Sequence, residues 1–368
     1  MDRKPRGIKK GKGEKIVVGM SGGVDSSASL ILLKKNGWNP IGVSLKYSVW
    51  KDNSNKRENT CCTRESIQRA KEICKKYGCE HITLDIGKEF YDTVVKYFIQ
   101  TLEKSQTPNP CMICNRETKF FHLFKYADSK GIKYVATGHY AKISKSVKNL
   151  FISTPKDKKK DQTYYLSLLP QKWLERIIFP LGEMTKLQAY SLVKKEKLDF
   201  YLKLNQSQDF CFVSEKSMDK FLEKEIKSKE GNIINEDGKI IGKHKGLKFY
   251  TIGQRKKIGL PGGPYYVVRK DNISNDLIVS KNKEDLGKKE IFIDNVFLQD
   301  KEMYSKSLKV KAKIRYQQEE SDALLKPISK DTNRYVLIFN KPQIGVTPGQ
   351  YAVFYINSKC IGSGVINK

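Results

Sequence analysis

Two sets of residues in this chain have the types and spacing for chemistry: a glycine-rich octet near the N-terminus and a group of cysteines downstream. The octet is Gly19, Met20, Ser21, Gly22, Gly23, Val24, Asp25 and Ser26. It follows the apolar run Ile16-Val-Val18 and precedes Ala28, Leu30, Ile31, Leu32 and Leu33 at helical spacing. That order reads as strand, tight turn, helix. Gly22 and Gly23 lack a Cβ, so the backbone there can take positive φ and approach a ligand closely. The first N–H groups of the next helix have no helical acceptor and lie at the positive end of its dipole. Such a turn cradles an anion, and phosphate is the natural one. It is not a Walker A loop, because no Gly-Lys-Ser/Thr follows the glycines. The plainer alternative is an ordinary strand-to-helix turn with Asp25 or Ser26 as N-cap.

The chain has eight cysteines: Cys61, Cys62, Cys74, Cys79, Cys111, Cys114, Cys211 and Cys360. Without a secretory signal they point to a reducing compartment, where thiols are catalytic, metal-binding or buried more often than bridged. Cys111 and Cys114 lie in Gln106-Thr-Pro-Asn-Pro-Cys-Met-Ile-Cys-Asn115, where two prolines argue for a rigid loop. Three readings compete for this pair. A zinc ribbon needs a second pair of similar spacing, and the adjacent Cys61-Cys62 is poorly disposed to supply it. A thioredoxin-like redox pair belongs at a strand-to-helix junction without surrounding prolines. Sulfur transfer needs one thiolate to carry a persulfide and another to resolve it, with Cys211 as the distant partner. Cys74, Cys79 and Cys360 read as buried apolar residues, while Cys61 and Cys62 follow a strand and could approach the site.

A length of 368 residues allows two or three domains. No apolar run reaches membrane-spanning length, and the first fifteen residues lack the apolar core of a secretory signal. We read 1–14 as a basic arm and the protein as cytoplasmic, with no membrane partner. The formal charge of +30 favours a polyanionic partner such as nucleic acid. Part of that charge is compositional, since lysine, isoleucine and asparagine are all abundant.

Several elements must position these residues. Strand-like runs at 16–18, 41–45, 81–84 and 134–137 alternate with helical patterns at 64–77 and 90–102. This predicts an α/β domain over 15–213 with a doubly wound parallel sheet, and ligands in such sheets lie beyond the carboxyl ends of the strands. Residues 170–200 read as helical, with Leu187 among the inward-facing residues. From 214 to 285 the pattern suggests a small central domain, with Asn235-Glu-Asp-Gly238 as a hairpin turn. From 286 to 368 successive strands predict a C-terminal β-barrel. In Leu308–Tyr316 the residues Lys309, Lys311, Lys313 and Arg315 share one strand face. That stripe is either a solvated face or a phosphate-contacting one.

The octet, preceded by its strand, resembles the pyrophosphate loop of the ATP-pyrophosphatase (PP-loop) superfamily. The segments Thr107–Asn115, Gly138-His-Tyr140, Lys160–Tyr165, Phe210-Cys-Phe212 and Ile252-Gly-Gln-Arg255 resemble, in order, the tRNA-specific 2-thiouridylase (MnmA) family. The resemblance runs from about residue 15 to the C-terminus. It implies a PP-loop (adenine nucleotide α-hydrolase-like) domain, a small central domain and a C-terminal barrel. It also implies ATP with Mg²⁺ bound by Gly19–Ser26, Leu45 and Gly138. Cys114 matches the family's nucleophile and Cys211 the persulfide carrier. Asn109, Pro110 and Cys111 match the stretch that meets the target base, and Lys160, Asp161 and Gln162 match tRNA contacts, as do His139, Arg315, Tyr316 and Gln350. The implied partners are the tRNAs for Glu, Gln and Lys and a persulfide donor, either a cysteine desulfurase or a relay carrier. Many family members have aspartate at position 111, so Cys111 removes a carboxylate base. Cys111, Cys114 and Cys211 could instead ligate a [4Fe-4S] cluster with one iron open. The implied reaction is ATP-dependent formation of 2-thiouridine at the wobble position. Rival readings are a PP-loop ligase acting on a small carbonyl substrate, an RNA-binding protein with a relic nucleotide fold, and a Cys111–Cys114 redox protein.

Overall fold

The computed structural model describes residues 10–47, 63–198, 201, 211–329 and 333–367. The expectations for Cys61, Cys62 and most of the basic arm lie outside these residues. Contacts divide the described residues into two units. One runs to Val95 and contains Cys111–Ser217 and Asn357–Ile361; the other contains Lys96–Pro110, Met218–Ile356 and the residues from Gly362 onward.

In the first unit the strands are β1 (Lys15–Gly19), β2 (Asn39–Lys46), β3 (Glu80–Asp85), β4 (Tyr134–Thr137), β5 (Lys142–Lys145), β6 (Leu150–Ser153) and β7 (Ile177–Ile178). The sheet has the order β3-β2-β1-β4-β7, and its pairings are all parallel. Ile16, Val17 and Val18 are fully buried, as expected of a parallel strand covered on both faces. The chain leaves β1 for β2 on one side and later returns to β4 on the other, so β1 and β4 flank the topological switch point. Register sets Gly19 beside Val43 and Thr137 at that end.

Helix α1 (Val24–Lys35) is buried over most of its length, with Val24, Ser26–Ile31 and Leu33 buried, and its small serines let it pack inside the core. Helix α2 (Arg64–Lys76) begins at Thr63, whose hydroxyl accepts from the Ser66 amide at 3.1 Å. It buries Ala70, Ile73 and Cys74. Burial pushes the Cys74 thiol up to about 12 and also raises Cys79, so neither is a ready thiolate.

Two expectations change. Residues 170–200 are not one helix: short helical turns, β7 and the helix Lys186–Lys195 succeed one another. Pro180 in this segment cannot donate a helical hydrogen bond, and Leu187 is 77% exposed. The proline-flanked loop is also shorter than expected, because Pro110–Ile113 is α-helical. Pro110 occupies the first helical position, where the missing N–H costs no bond.

In the second unit β8 (Gly231–Ile234) and β9 (Ile240–His244) form the expected hairpin. With β10 (Tyr266–Asp271) and β11 (Asp276–Ser280) they make a sheet of order β10-β11-β8-β9 over Ile233, Leu247, Val267 and Leu277. The barrel strands are β12 (Gly287–Leu298), β13 (Leu308–Lys313), β14 (Ser321–Pro327), β15 (Tyr335–Ile344), β16 (Tyr351–Ile356) and β17 (Lys359–Ile366). β12 pairs with both β15 and β17, closing a six-stranded barrel. β14 was not legible in the sequence: Ala323 and Leu325 are its two buried residues, too few for a clear alternation. β14 and the residue before it answer part of the basic stripe, since Lys311 pairs with Asp322 at 3.0 Å and Lys313 with Glu320 at 3.8 Å.

One half-buried imidazole links the sheet to the octet. The Ser44 hydroxyl donates to the Met20 carbonyl at 2.9 Å and lies 2.9 Å from His81 Nε2. With its proton so used, Ser44 accepts from Nε2–H, and buried Nδ1 has no partner among the described residues. Burial, helped by Lys71, lowers the His81 pKa to about 4. The unfolded chain, near 6.5, takes up its proton first. Stability from this residue is therefore present above pH 6.5 and is lost as pH falls toward 4. Thermal melts across that window should show Tm falling less steeply for His81→Gln than for wild type; equal slopes would refute the assignment.

Candidate functional site

The octet closes the carboxyl end of β1 and starts α1. Gly22 has φ of +69°, and a Cβ there would come within 2.0 Å of the Ser66 carbonyl oxygen. Arg69 of α2 donates to the Gly22 carbonyl at 3.1 Å. Ser26 Oγ accepts from the Ser21 amide at 3.2 Å and contacts the Gly23 carbonyl at 3.1 Å, folding the loop on itself. The N-cap is Gly23, with no side-chain cap, so neither Asp25 nor Ser26 fills that place. By helix geometry the amides of Val24, Asp25 and Ser26 lack intrahelical acceptors. Their positive end of the helix dipole suits an anion. Gly138, just beyond β4, lies so near that a Cβ would sit 2.7 Å from the Ser26 nitrogen.

A pocket opens at this switch point. It is lined by Gly19, Met20, Ser21, Asp25, Ser26, Leu45 and Gly138 of the expected nucleotide set. His139 and Gln162, expected to meet tRNA, line it too. Sequence reasoning missed Val43, Tyr47, Lys119, Leu123 and Thr137. Val43 and Thr137 follow from register with Gly19, while Val43, Leu45, Tyr47 and Leu123 make an apolar wall of the kind that takes a flat heterocycle.

Asp25 is held rather than free to cap. Lys186 Nζ lies 2.6 and 2.8 Å from its two carboxylate oxygens, and the Tyr140 hydroxyl donates to Oδ1 at 3.0 Å. Burial and the Asp25 charge push the Tyr140 phenol upward, so it remains a donor. The Lys186 side chain is only 12% exposed and lies 5.0 Å from the Tyr190 ring centroid. Sequence reading did not single out Lys186, although a signal existed. Thr185 and Gln188 form a capping box, which marks Lys186 as the first residue of its helix. Within the same unit, Asp157 Oδ2 accepts from the Lys186 amide at 2.8 Å.

Lys119 leads from the pocket to the cysteines. It belongs to a π-helix, Cys114–Phe120, that begins at Cys114. Cys114 is buried and Cys111 exposed. Asn115 Nδ2 donates to the Tyr165 carbonyl at 3.2 Å, while its buried Oδ1 has no partner among the described residues. Phe120 stacks on His139 with centroids 5.9 Å apart, and Thr137 Oγ1 meets His139 Nδ1 at 2.8 Å. Burial, with Lys119 nearby, lowers the His139 pKa well below its ordinary value, so this imidazole is neutral. Cys211 is half-buried. The ring of its neighbour Phe212 lies 6.3 Å from that of Phe90, which stacks on Tyr47 of the pocket wall at 4.6 Å.

The remaining expected contacts are scattered. Lys160 ends a lysine turn, Asp161 Oδ1 accepts from the Thr163 amide at 2.9 Å, and Gln162 Oε1 accepts from the Tyr140 amide at 2.9 Å. In the second unit Arg315 is exposed just past β13, with Tyr316 half-buried beside it. Asn109 and Gln350 bond to each other at 3.1 Å, immediately before Pro110. Among the described residues, no three of His, Cys, Asp and Glu come together as a metal-holding group. Cys111, Cys114 and Cys211 therefore do not form a cluster site here. Asp25 is the one carboxylate among the described pocket-lining residues, which fits an Mg²⁺ held chiefly by substrate phosphates and water.

A glycine turn at the switch point of a parallel sheet, with an uncapped helix start and an apolar wall, defines a PP-loop nucleotide-binding protein. Family models cover the chain in sequence: "tRNA methyl transferase HUP domain" matches 14–215, "tRNA methyl transferase PRC-barrel domain" 219–281 and "Aminomethyltransferase beta-barrel domain" 288–366. The tRNA-specific 2-thiouridylase MnmA 2 of Thermoanaerobacter sp. (strain X514) is 38% identical over 362 residues, covering 96% of this chain and 98% of that relative. MnmA 1 of Geobacillus kaustophilus is 37% identical over 369 residues, covering 97% and 96%. The chain belongs to the tRNA-specific 2-thiouridylase (MnmA) family. A U34-tRNA thiolase, NcsA from Methanococcus maripaludis, overlaps 59% of this chain and 68% of its own at 19% identity and a TM-score of 0.33, and nothing is built on that overlap.

Lys186→Met should leave Asp25 without its ion-pair partner and remove a cation beside the loop. We expect kcat/KM for ATP, followed as pyrophosphate release, to fall by about 100-fold, as when one oriented charge-stabilising group is lost. Activity within about twofold of wild type would show that Lys186 has no part in the site.

Proposed function

We propose that this chain is a tRNA-uridine 2-sulfurtransferase that uses ATP to place sulfur at C2 of the wobble uridine. The observation that carries the reading is the placement of Cys114 on the helix whose Lys119 lines the nucleotide pocket. Nucleotide activation and thiol chemistry thus share one helix.

ATP is the substrate suited to the loop, its phosphates on the amides of Val24–Ser26 and its base against the apolar wall. Mg²⁺, when bound with ATP, would supply charge neutralisation along the triphosphate, and Asp25 is the residue placed to hold its hydration shell. The C2 oxygen of the uridine attacks the α-phosphorus, forming an O-adenylated base and releasing pyrophosphate. This step is needed because a carbonyl oxygen leaves poorly and AMP leaves well. The terminal sulfur of a persulfide on Cys211 then attacks C2 and AMP departs, leaving C2–S–S–Cys211. The Cys114 thiolate attacks the Cys211 sulfur, releasing 2-thiouridine and forming a Cys114–Cys211 disulfide. A dithiol reductant and a persulfide donor, a cysteine desulfurase or relay carrier, restore the starting state. We prefer this relay to an iron–sulfur cluster because the three cysteines do not come together as a metal-holding group. No step passes through a cluster.

With His139 neutral and Tyr140 protonated, the phosphate grip comes from the loop amides, Lys119 and Lys186. The tRNA would be held through its backbone by the basic surface, with the target base unstacked to reach the pocket. The tRNAs for Glu, Gln and Lys are the proposed substrates.

Cys211→Ser separates the two halves of the reaction. With tRNA, ATP and a persulfide donor, the variant should release pyrophosphate and accumulate the adenylated base but yield no 2-thiouridine on nucleoside analysis. Retained thiolation would overturn the role of Cys211. Loss of pyrophosphate release as well would place the residue in nucleotide activation instead.

A further inference from the structure

We propose that Gln350 is a positioning residue that fixes the backbone of Thr107–Asn109 and so sets where the cysteine helix begins. This rests on the reading that Cys111 and Cys114 belong to the reactive site. The family resemblance implies a tRNA contact for Gln350, and its side chain also makes three bonds within its own unit. Nε2 donates to the Thr107 carbonyl at 3.2 Å and to the Pro108 carbonyl at 2.9 Å, and Oε1 accepts from Asn109 Nδ2 at 3.1 Å. A primary amide has two N–H donors, and both have partners here.

The segment needs such help because of its own sequence. Pro108 and Pro110 have no N–H, so this stretch cannot pair with itself as helix or strand. Its backbone oxygens must find donors elsewhere. The turn before β16 supplies donors through Gln350 and an acceptor through Pro348. The Thr107 amide donates to the Pro348 carbonyl at 2.8 Å. Gly349, at φ +90°, comes so close that a Cβ there would lie 2.8 Å from the Thr107 carbonyl oxygen. Two more anchors come from the same unit. Lys270 Nζ donates to the Ser105 carbonyl at 3.0 Å, and Thr107 Oγ1 donates to Thr251 Oγ1 at 3.3 Å. The segment Lys96–Pro110 accordingly groups with the second unit although it lies within the α/β sequence. One residue after Asn109, Pro110 starts the helix that carries Cys111 and runs on into the π-helix of Cys114. Gln350 supplies three of the bonds that hold its approach.

Gln350→Ala and Gly349→Ala distinguish positioning from contact. Both should be assayed for tRNA binding, for single-turnover thiolation at saturating tRNA, and for alkylation of Cys111 and Cys114 in the absence of tRNA. A positioning role predicts about a 10- to 100-fold slower thiolation step in both variants, as for a misplaced reactive group. The Kd for tRNA should stay within about twofold, and the alkylation rates should change. Gly349→Ala removes no side chain that tRNA could touch, so its loss of rate is specific to positioning; it also serves if Gln350→Ala does not fold. Weakened tRNA binding in Gln350→Ala with an unchanged thiolation step and a wild-type Gly349→Ala would overturn the proposal. Failure of the wild type itself to thiolate tRNA would instead overturn the functional reading beneath it.

Discussion

The rest of the site depends on one constraint: the uncapped start of α1 must be held at the switch point between β1 and β4. Strand register puts Gly19, Val43 and Thr137 in one row, and the close approach of Gly138 presses the end of β4 against the first turn of α1. Nothing on Gly23 can fold back to cap the helix, so its amides remain oriented toward the pocket. An anion bound there meets donors already fixed in place, and little reorganisation is needed when charge shifts during reaction. Larger residues at Gly22 or Gly138 would collide with the Ser66 carbonyl or the Ser26 backbone. The glycines are therefore required by packing as well as by the ligand.

Around this dipole the fold places cations without placing many acids. Lys186 is paired with Asp25, while Lys119 lies near enough to help suppress protonation of His139. The pair fixes the Lys186 ammonium beside the loop. The aromatic run Tyr47, Phe90 and Phe212 ties the residue next to Cys211 to the nucleotide wall, and the π-helix ties Cys114 to Lys119. Packed rings and one helix thus connect the surroundings of Cys211 and Cys114 to the pocket wall.

Legibility from sequence followed the range of the interactions. The octet could be read because its chemistry is local: glycines, a preceding apolar strand and a following apolar helix lie within about twenty residues. The β8–β9 hairpin was visible for the same reason, through its Asp-Gly turn. Lys186 was not, because its meaning comes from Asp25, 161 positions away. The segment Gln106–Asn115 reads as a loop throughout because proline counts as a helix breaker, yet Pro110 at the first helical position breaks nothing. Helix 170–200 failed at Pro180, where apolar spacing was given more weight than the missing donor. The mutual bond of Asn109 and Gln350 joins residues far apart in the chain, and family resemblance pointed to each without showing that they meet.

The central claim is that the loop activates the uridine oxygen itself, so the most direct measurement follows that atom. A substrate tRNA carrying ¹⁸O at C2 of the wobble uridine would be thiolated with ATP and a persulfide donor, and the AMP examined by mass spectrometry. If O2 attacks the α-phosphorus, the label appears in AMP in step with 2-thiouridine formation. Unlabelled AMP alongside full thiolation would contradict it, because the nucleotide would then have been cleaved without passing through the base.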